Sequence, residues 1–317
     1  VSTAPPQEPG PRPTTTKAPA AAVRVVPVRH WGRWVAAVIV IAAVVAIVVG
    51  LAGANIAYST IPDYLHSHVI LVGLRNTIII SVLAQAIGIA LGVIFAIMRL
   101  SKNPVVSTVS WVYIWFFRGT PVLVQLVIWF NLSLAFATIS IPIPFTDHFL
   151  LHESMNTFMT PFVAALLGLG LNEGAYMAEI VRAGIISVDE GQTEAAAALG
   201  MTRGLTMRRV VLPQAMRVII PPTGNEFINM LKTSSLAQVI TYGELFHQAQ
   251  IVYSAKLNNI ELLFVISIWY LVLTSIASLA QYYIERRYAR GSARALPDTP
   301  LQRLRRNLRP PRMGVAR

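Results

Sequence analysis

The chain has 317 residues, 55% of them apolar and only 13% charged, with a mean hydropathy of +0.58. Soluble domains run nearer ~45–50% apolar and ~25% charged, so this balance argues against a soluble enzyme and still more against a disordered chain. The net charge of +12 first suggests nucleic acid, while the lack of cysteine excludes a disulfide scaffold, a thiolate metal site and a cysteine nucleophile.

Residues 1–30 are rich in Pro, Ala and Thr and have no apolar periodicity. Such a segment cannot bury enough surface to offset its chain entropy, which predicts a disordered tail. The apolar run over 35–52 follows Arg24, Arg29, His30 and Arg33. Residues 31–55 read as an additional N-terminal membrane helix. A signal peptide is the other reading, because Ala52-Gly53-Ala54 resembles a cleavage site. Five more spans follow, at about 70–98, 120–139, 159–182, 217–240 and 262–285. The fold class is therefore all-α, a polytopic bundle of about six transmembrane helices. Between the second and third spans, the aromatic stretch 103–118 is expected to lie at the membrane interface. Gly88 and Gly92 form a small-xxx-small pair, which either seats a neighbouring helix or falls there by chance.

The cations fix an orientation. The tail and head of the first span carry five Lys/Arg, 99–118 three, 182–217 five, and the segment after Glu285 ten, which is 23 of the 26. If the spans alternate, all of these lie on one side. The opposite loops 55–69 and 140–158 contain none. The positive-inside rule then predicts a multi-pass plasma-membrane protein with both termini cytoplasmic. The charge is explained without nucleic acid, although the Arg-rich tail 289–317 could also touch anionic lipid.

The largest cytoplasmic loop, 187–213, reads as a short Ala-rich helix from Glu190, broken at Gly200 and followed by an amphipathic stretch up to Pro213. With few bulky side chains it suits docking into a partner's groove; a plain cytoplasmic hairpin is the bland alternative. Here Glu194-Ala195-Ala196, Gly200 and Leu212-Pro213 match the EAA loop of ABC-importer permeases. Further motifs resemble the polar amino-acid branch of that family. They are Gly73-Leu74-Arg75-Asn76-Thr77, Phe117-Arg118-Gly119-Thr120-Pro121, Ala175-Tyr176-Met177-Ala178-Glu179, Gly191-Gln192 and Lys232-Thr233-Ser234-Ser235-Leu236.

The resemblance covers roughly 68–288. It departs from the family in having an extra first span and two long tails, and in having Ser234 where Asp is frequent. It implies the type I importer fold, with two permeases (identical or homologous) enclosing a pathway above two ATPases, and an extracytoplasmic binding protein delivering a polar amino acid. Coupling to the ATPase would rest on Glu190, Gly191, Glu194, Ala195, Ala196, Leu199, Gly200 and Pro213.

The chain lacks a phosphate-cradling loop, since Lys232-Thr233 follows Asn229-Met230-Leu231 inside an apolar helix. ATP and Mg²⁺ should therefore be bound by the partner ATPase. No catalytic residue, metal site or cofactor of the chain's own is expected. Ionisable groups in hydrocarbon cost ~2.5–3.5 kcal/mol each at mid-helix, so those in the spans should face a cavity or a partner. Glu179 and Lys232, opposite in charge and similar in apparent depth, are expected to form a structural ion pair, with direct substrate contact as the alternative. Asn172, Glu173, Asn225 and Glu226 are expected along the substrate pathway, with polar helix packing as the alternative for Asn172 and Glu173. Two rivals use the same spans. A self-contained secondary transporter or channel would need its own coupling-ion site. A membrane scaffold would leave the charged span residues unexplained.

Overall fold

The computed structural model describes residues 31–146, 148–256 and 259–288. The tails 1–30 and 289–317, read above as separate regions, lie outside the described residues. Two units are present, 1–55 and 56–317. In the first, α1 (Trp31–Ala52) is an apolar helix of 22 residues, about 33 Å long at 1.5 Å per residue, enough to cross ~30 Å of hydrocarbon.

The second unit opens with a short helix, α2 (Ile61–Leu65), and the long α3 (His68–Arg99). Then come α4 (Pro104–Gly119), which Asn103 caps by accepting from the Val105 amide at 2.9 Å, and α5 (Val122–Phe130). A hairpin of β1 (Thr138–Pro142) and β2 (Phe149–Ser154) leads to α6 (Met155–Phe158) and α7 (Pro161–Ile186). The loop region 187–213 holds α8 (Glu190–Ala198) and α9 (Arg203–Thr206), and a π-turn leads into α10 (Leu212–Thr233). The chain closes with α11 (Leu245–Lys256) and α12 (Asn259–Tyr288).

α7 is the central helix, touched by α3, α4, α5 and α10. Its closest neighbour is α3, and glycines make the approach possible. A Cβ on Gly88 would lie 2.8 Å from Glu173 Cβ, and one on Gly92 would lie 2.8 Å from the Met177 carbonyl carbon. Both glycines face the same stripe of α7, one turn apart. The small-xxx-small pair is a true helix seam, not a chance spacing.

Three expected features are corrected. The third span, 120–139, is not one straight helix. α4 and the segment 122–134 form a pair bent by 100°, because Thr120 and Pro121 are extended and the proline supplies no amide to continue the helix. The interfacial stretch 103–118 is the first arm of that pair. The fifth span, 217–240, is helical only to Thr233 and continues as a 3₁₀ turn over Ser234–Ile240. The loop 140–158 contains a two-stranded antiparallel hairpin, a small exception in a helical fold.

By length and apolarity, α1, α3, α12 and the bent pair qualify as spans. α7 and α10 are long enough to cross but carry Glu173, Glu179, Arg182, Arg217, Glu226 and Lys232. They fall short of uniform apolarity because they build the site.

Candidate functional site

The break between α4 and α5 is the starting point of the site. A 100° bend frees backbone carbonyls that in a membrane must find donors. Gln125, buried on α5, meets this need. Its Nε2 donates to the Phe117 carbonyl at 3.0 Å, the Thr120 carbonyl at 3.1 Å and Thr120 Oγ1 at 2.7 Å. Asn172 on α7 adds a second donor, from Nδ2 to the Phe117 carbonyl at 2.7 Å, and reaches Gln125 Oε1 at 3.3 Å. These two amides hold the broken ends open.

The opening is a cavity of about 880 Å³, at the upper end of the usual ~300–1,000 Å³ for ligand sites. Arg118 to Val122 form one wall, and Asn172, Glu173 and Tyr176 of α7 a second. Glu226, Asn229 and Lys232 of α10 form a third, with Ser235 and Leu236 of the 3₁₀ turn closing it. The lining thus carries two carboxylates and two cations. Glu173 is 5% exposed, and its Oε1 accepts from Gln85 Nε2 at 3.1 Å across the α3 seam. Arg118 lies over the Tyr176 ring at 5.1 Å from the centroid, a cation–π arrangement that places the guanidinium at the cavity edge. Such a cavity can take a small zwitterion. Its carboxylate would meet Arg118 or Lys232, and its ammonium Glu173 or Glu226.

The structure brings Asn172, Glu173 and Glu226 together around this space. Asn225 is elsewhere: its Oδ1 accepts from Gln281 Nε2 of α12 at 3.1 Å, and it does not line the cavity. Asn172 lines it, yet its amide donor is already committed to the helix break, which leaves the carboxylate of a ligand to the cations.

The expected ion pair of Glu179 and Lys232 does not form. Glu179 is held by Arg182 on its own helix, with Nη2 to Oε2 at 2.7 Å and Nε to Oε1 at 3.2 Å. Depth explains this. α7 and α10 run in opposite directions from the loop that joins them, so Glu179 lies seven residues, about 10 Å, from the loop end of α7 and Lys232 twenty residues, about 30 Å, from the loop end of α10, at 1.5 Å per residue. Lys232 faces the cavity instead.

Sequence reasoning passed over Gln85 and Gln125, and quoted Arg118 and Tyr176 only within motifs. A usable signal existed: an uncharged amide inside an apolar span must also find a partner. Among the described residues no cluster of His, Cys, Asp or Glu could hold a metal ion.

The loop 187–213 is built by local rules. Asp189 caps α8 by accepting from the Gly191 amide at 2.8 Å. The helix stops in a Schellman turn, in which the Gly200 amide donates to Ala197 at 3.0 Å and the Met201 amide to Ala196 at 3.0 Å. Gly200 has φ +74°, which a side chain would strain. Glu190, Gly191, Glu194 and Ala195 are exposed, and Leu199 is 81% exposed. Ala196 is buried, so it anchors the helix and does not face outward. The amphipathic stretch does not stop at Pro213: the helical run from Arg203 passes through the π-turn Met207–Val211 into α10 without a break, and the widened turn accommodates the missing proline amide.

Comparison with known proteins places this architecture. Residues 88–290 match the model of the binding-protein-dependent transport system inner membrane component. The chain is 45% identical over 281 residues to the arginine transport system permease protein of Corynebacterium glutamicum, an alignment covering 88% of this chain and 87% of that one. It is 34% identical to the glutamine transport system permease protein of Escherichia coli, with 68% and 90% covered. The arginine permease alignment is too long to fit between residue 68 and the C-terminus, so it reaches into the region of α1. The crystal structure of an amino acid ABC transporter with histidines superposes with a TM-score of 0.63 at 36% identity, covering 74% of this chain and all of that one. The MetNI methionine ABC transporter, at 18% identity and a TM-score of 0.56, shares the fold. The chain belongs to the family of inner membrane components of binding-protein-dependent transport systems, as a membrane-embedded permease.

Proposed function

We propose that the chain is the permease subunit of an ATP-driven ABC importer for polar amino acids. The observation that carries this reading is the mixed-charge cavity between the α4–α5 break, α7 and α10. Two carboxylates and two cations around about 880 Å³ suit an amino-acid zwitterion and, through the second carboxylate, a polar or cationic side chain. The permease is not an enzyme; ATP and Mg²⁺ belong to a separate ATPase, and no cofactor is needed in this chain. The exposed face of α8, with Glu190, Gly191, Glu194 and Ala195, is the surface that docks on that ATPase. Asp189 and Gly200 fix its ends, and Pro213, in α10, belongs to the helix that returns the loop to the bundle. A second permease, identical or homologous, completes the pathway, and an extracytoplasmic binding protein delivers the amino acid. Both termini are cytoplasmic, supported by the 23 of 26 cations assigned to that side.

Arginine is the first substrate to test, because the arginine transport permease is 45% identical over 281 residues. The chain, its ATPase and its binding protein are reconstituted in proteoliposomes, and uptake of labelled arginine, glutamine and histidine is followed. Uptake that needs ATP and the ATPase is expected. Uptake driven by a proton or sodium gradient without the ATPase would replace this reading with that of a secondary transporter.

A further inference from the structure

A second cavity, of about 490 Å³, lies beside the first and shares Arg118 and Gly119 with it. Its walls bring together Arg99 at the end of α3, Arg118 at the end of α4 and Arg182 in the last turns of α7. One carboxylate, Glu179, faces these three guanidiniums, and Arg182 already holds it at 2.7 Å. Arg99 is steadied by donating to Ser107 Oγ at 2.8 Å. The pocket therefore keeps a surplus of two positive charges. Its rim is of opposite character: Trp111 and Trp115 stack at 6.1 Å with an interplanar angle of 15°, and are 49% and 62% exposed. Val112 and Phe116 continue this exposed apolar face of α4.

We propose that this pocket binds the headgroup of an anionic phospholipid from the cytoplasmic leaflet. The orientation is that of the permease reading above; the ligand assignment goes beyond it. A phosphate would sit among the guanidiniums, as phosphate does in basic pockets at the inner ends of membrane helices. The indoles would hold the glycerol level, where amphipathic rings are favoured, and the acyl chains would run along Val112 and Phe116. A soluble anion has no use for the apolar rim, so the lipid fits both halves of the site. Arg118 borders both cavities, which places the headgroup one side chain away from the transported amino acid.

The test uses the assembled transporter in nanodiscs of equal phosphatidylglycerol and phosphatidylcholine. Native mass spectrometry after detergent exchange counts the retained lipids. Preferential retention of phosphatidylglycerol is expected, at roughly fivefold per surplus guanidinium. Arg99→Gln should lower the preference roughly fivefold, and Arg99→Lys should keep most of it. Trp115→Ala, which leaves the charges in place, should weaken retention of both lipids. Equal retention of the two lipids by the unaltered transporter would overturn the proposal without recourse to a variant. So would an unchanged preference in both Arg99→Gln and Trp115→Ala. Displacement of the lipid by millimolar glycerol 3-phosphate or inorganic phosphate alone would assign the pocket to a soluble anion. Cross-linking of two permease copies through Trp111 and Trp115 would assign the face to a subunit contact. Loss of ATP-driven uptake leaves these lipid readouts unaffected, so the two proposals fail separately.

Discussion

The cavity and the loop 187–213 are built by opposite means. In the cavity, charged and amide side chains are tied across helices far apart in sequence: Gln85 to Glu173, Asn172 to the Phe117 carbonyl, Gln125 to the ends of a break. In the loop, every fixed point is local. Asp189 binds two residues ahead, and the Gly200 turn closes on Ala196 and Ala197. The cavity must satisfy each polar group inside a membrane, while the loop stays exposed, as the proposed docking on an ATPase requires. Damage to the first should show in folding and substrate affinity. Damage to the second should show in coupling.

The most disruptive change is expected at the α3–α7 seam. Gly88→Leu drives a side chain into Glu173, which carries the cavity wall, and overpacking of this kind costs about 1–3 kcal/mol or more. Folded yield, read by size-exclusion chromatography, should fall sharply, whereas Gly119→Ala, with nothing within 4 Å of its Cβ, should leave it near normal. Equal yields would show that the seam is looser than its geometry.

A smaller and more selective effect is expected at the carboxylate. Glu173→Gln keeps an oxygen to accept from Gln85, so assembly should be normal. The lost charge-assisted contact, about 1.5–3 kcal/mol, should weaken uptake roughly tenfold or more. Wild-type kinetics in this variant would remove Glu173 from the site.

In the loop, Gly200→Ala meets no steric neighbour but must hold φ +74°, at about 1–2 kcal/mol. Normal insertion with reduced coupling of ATP hydrolysis to uptake is the expected signature. Unaltered coupling would separate the loop's shape from its role.

The smallest effect concerns Glu179. Its partner Arg182 is three residues away and both are about one third exposed, so Glu179→Gln should cost about 0–1 kcal/mol. Lys232→Met should lower uptake instead, and a double-mutant cycle should find the two independent within ~0.5 kcal/mol. A coupling well above that value would restore the Glu179–Lys232 pair.

This contrast also explains what the sequence could tell. The first half of the loop was legible to within a residue or two, because caps, Ala-rich composition and a C-terminal glycine act over four or five positions, whereas the stop expected at Pro213 is absent and the helical run from Arg203 continues through it. Span positions were legible from apolar runs, except where Thr120-Pro121 breaks the third and the 3₁₀ turn after Thr233 loosens the fifth. Of the cavity, Asn172, Glu173 and Glu226 were found by the cost of polar groups in hydrocarbon. That cost does not name a partner. Assigning Lys232 to Glu179 matched opposite charges but overlooked that adjacent spans run in opposite directions. Asn225, one residue from Glu226 and thus about 100° around the helix, turns to Gln281 instead.

The central claim is that the mixed-charge cavity of this permease holds the transported amino acid. Equilibrium binding of labelled arginine to the detergent-purified permease–ATPase complex, without the binding protein, tests it most directly. Saturable binding is expected, weakened roughly tenfold by Glu226→Gln and by Lys232→Met in complexes of normal assembly. Binding of unchanged strength in both variants, or none in the intact complex for any polar amino acid, would contradict it.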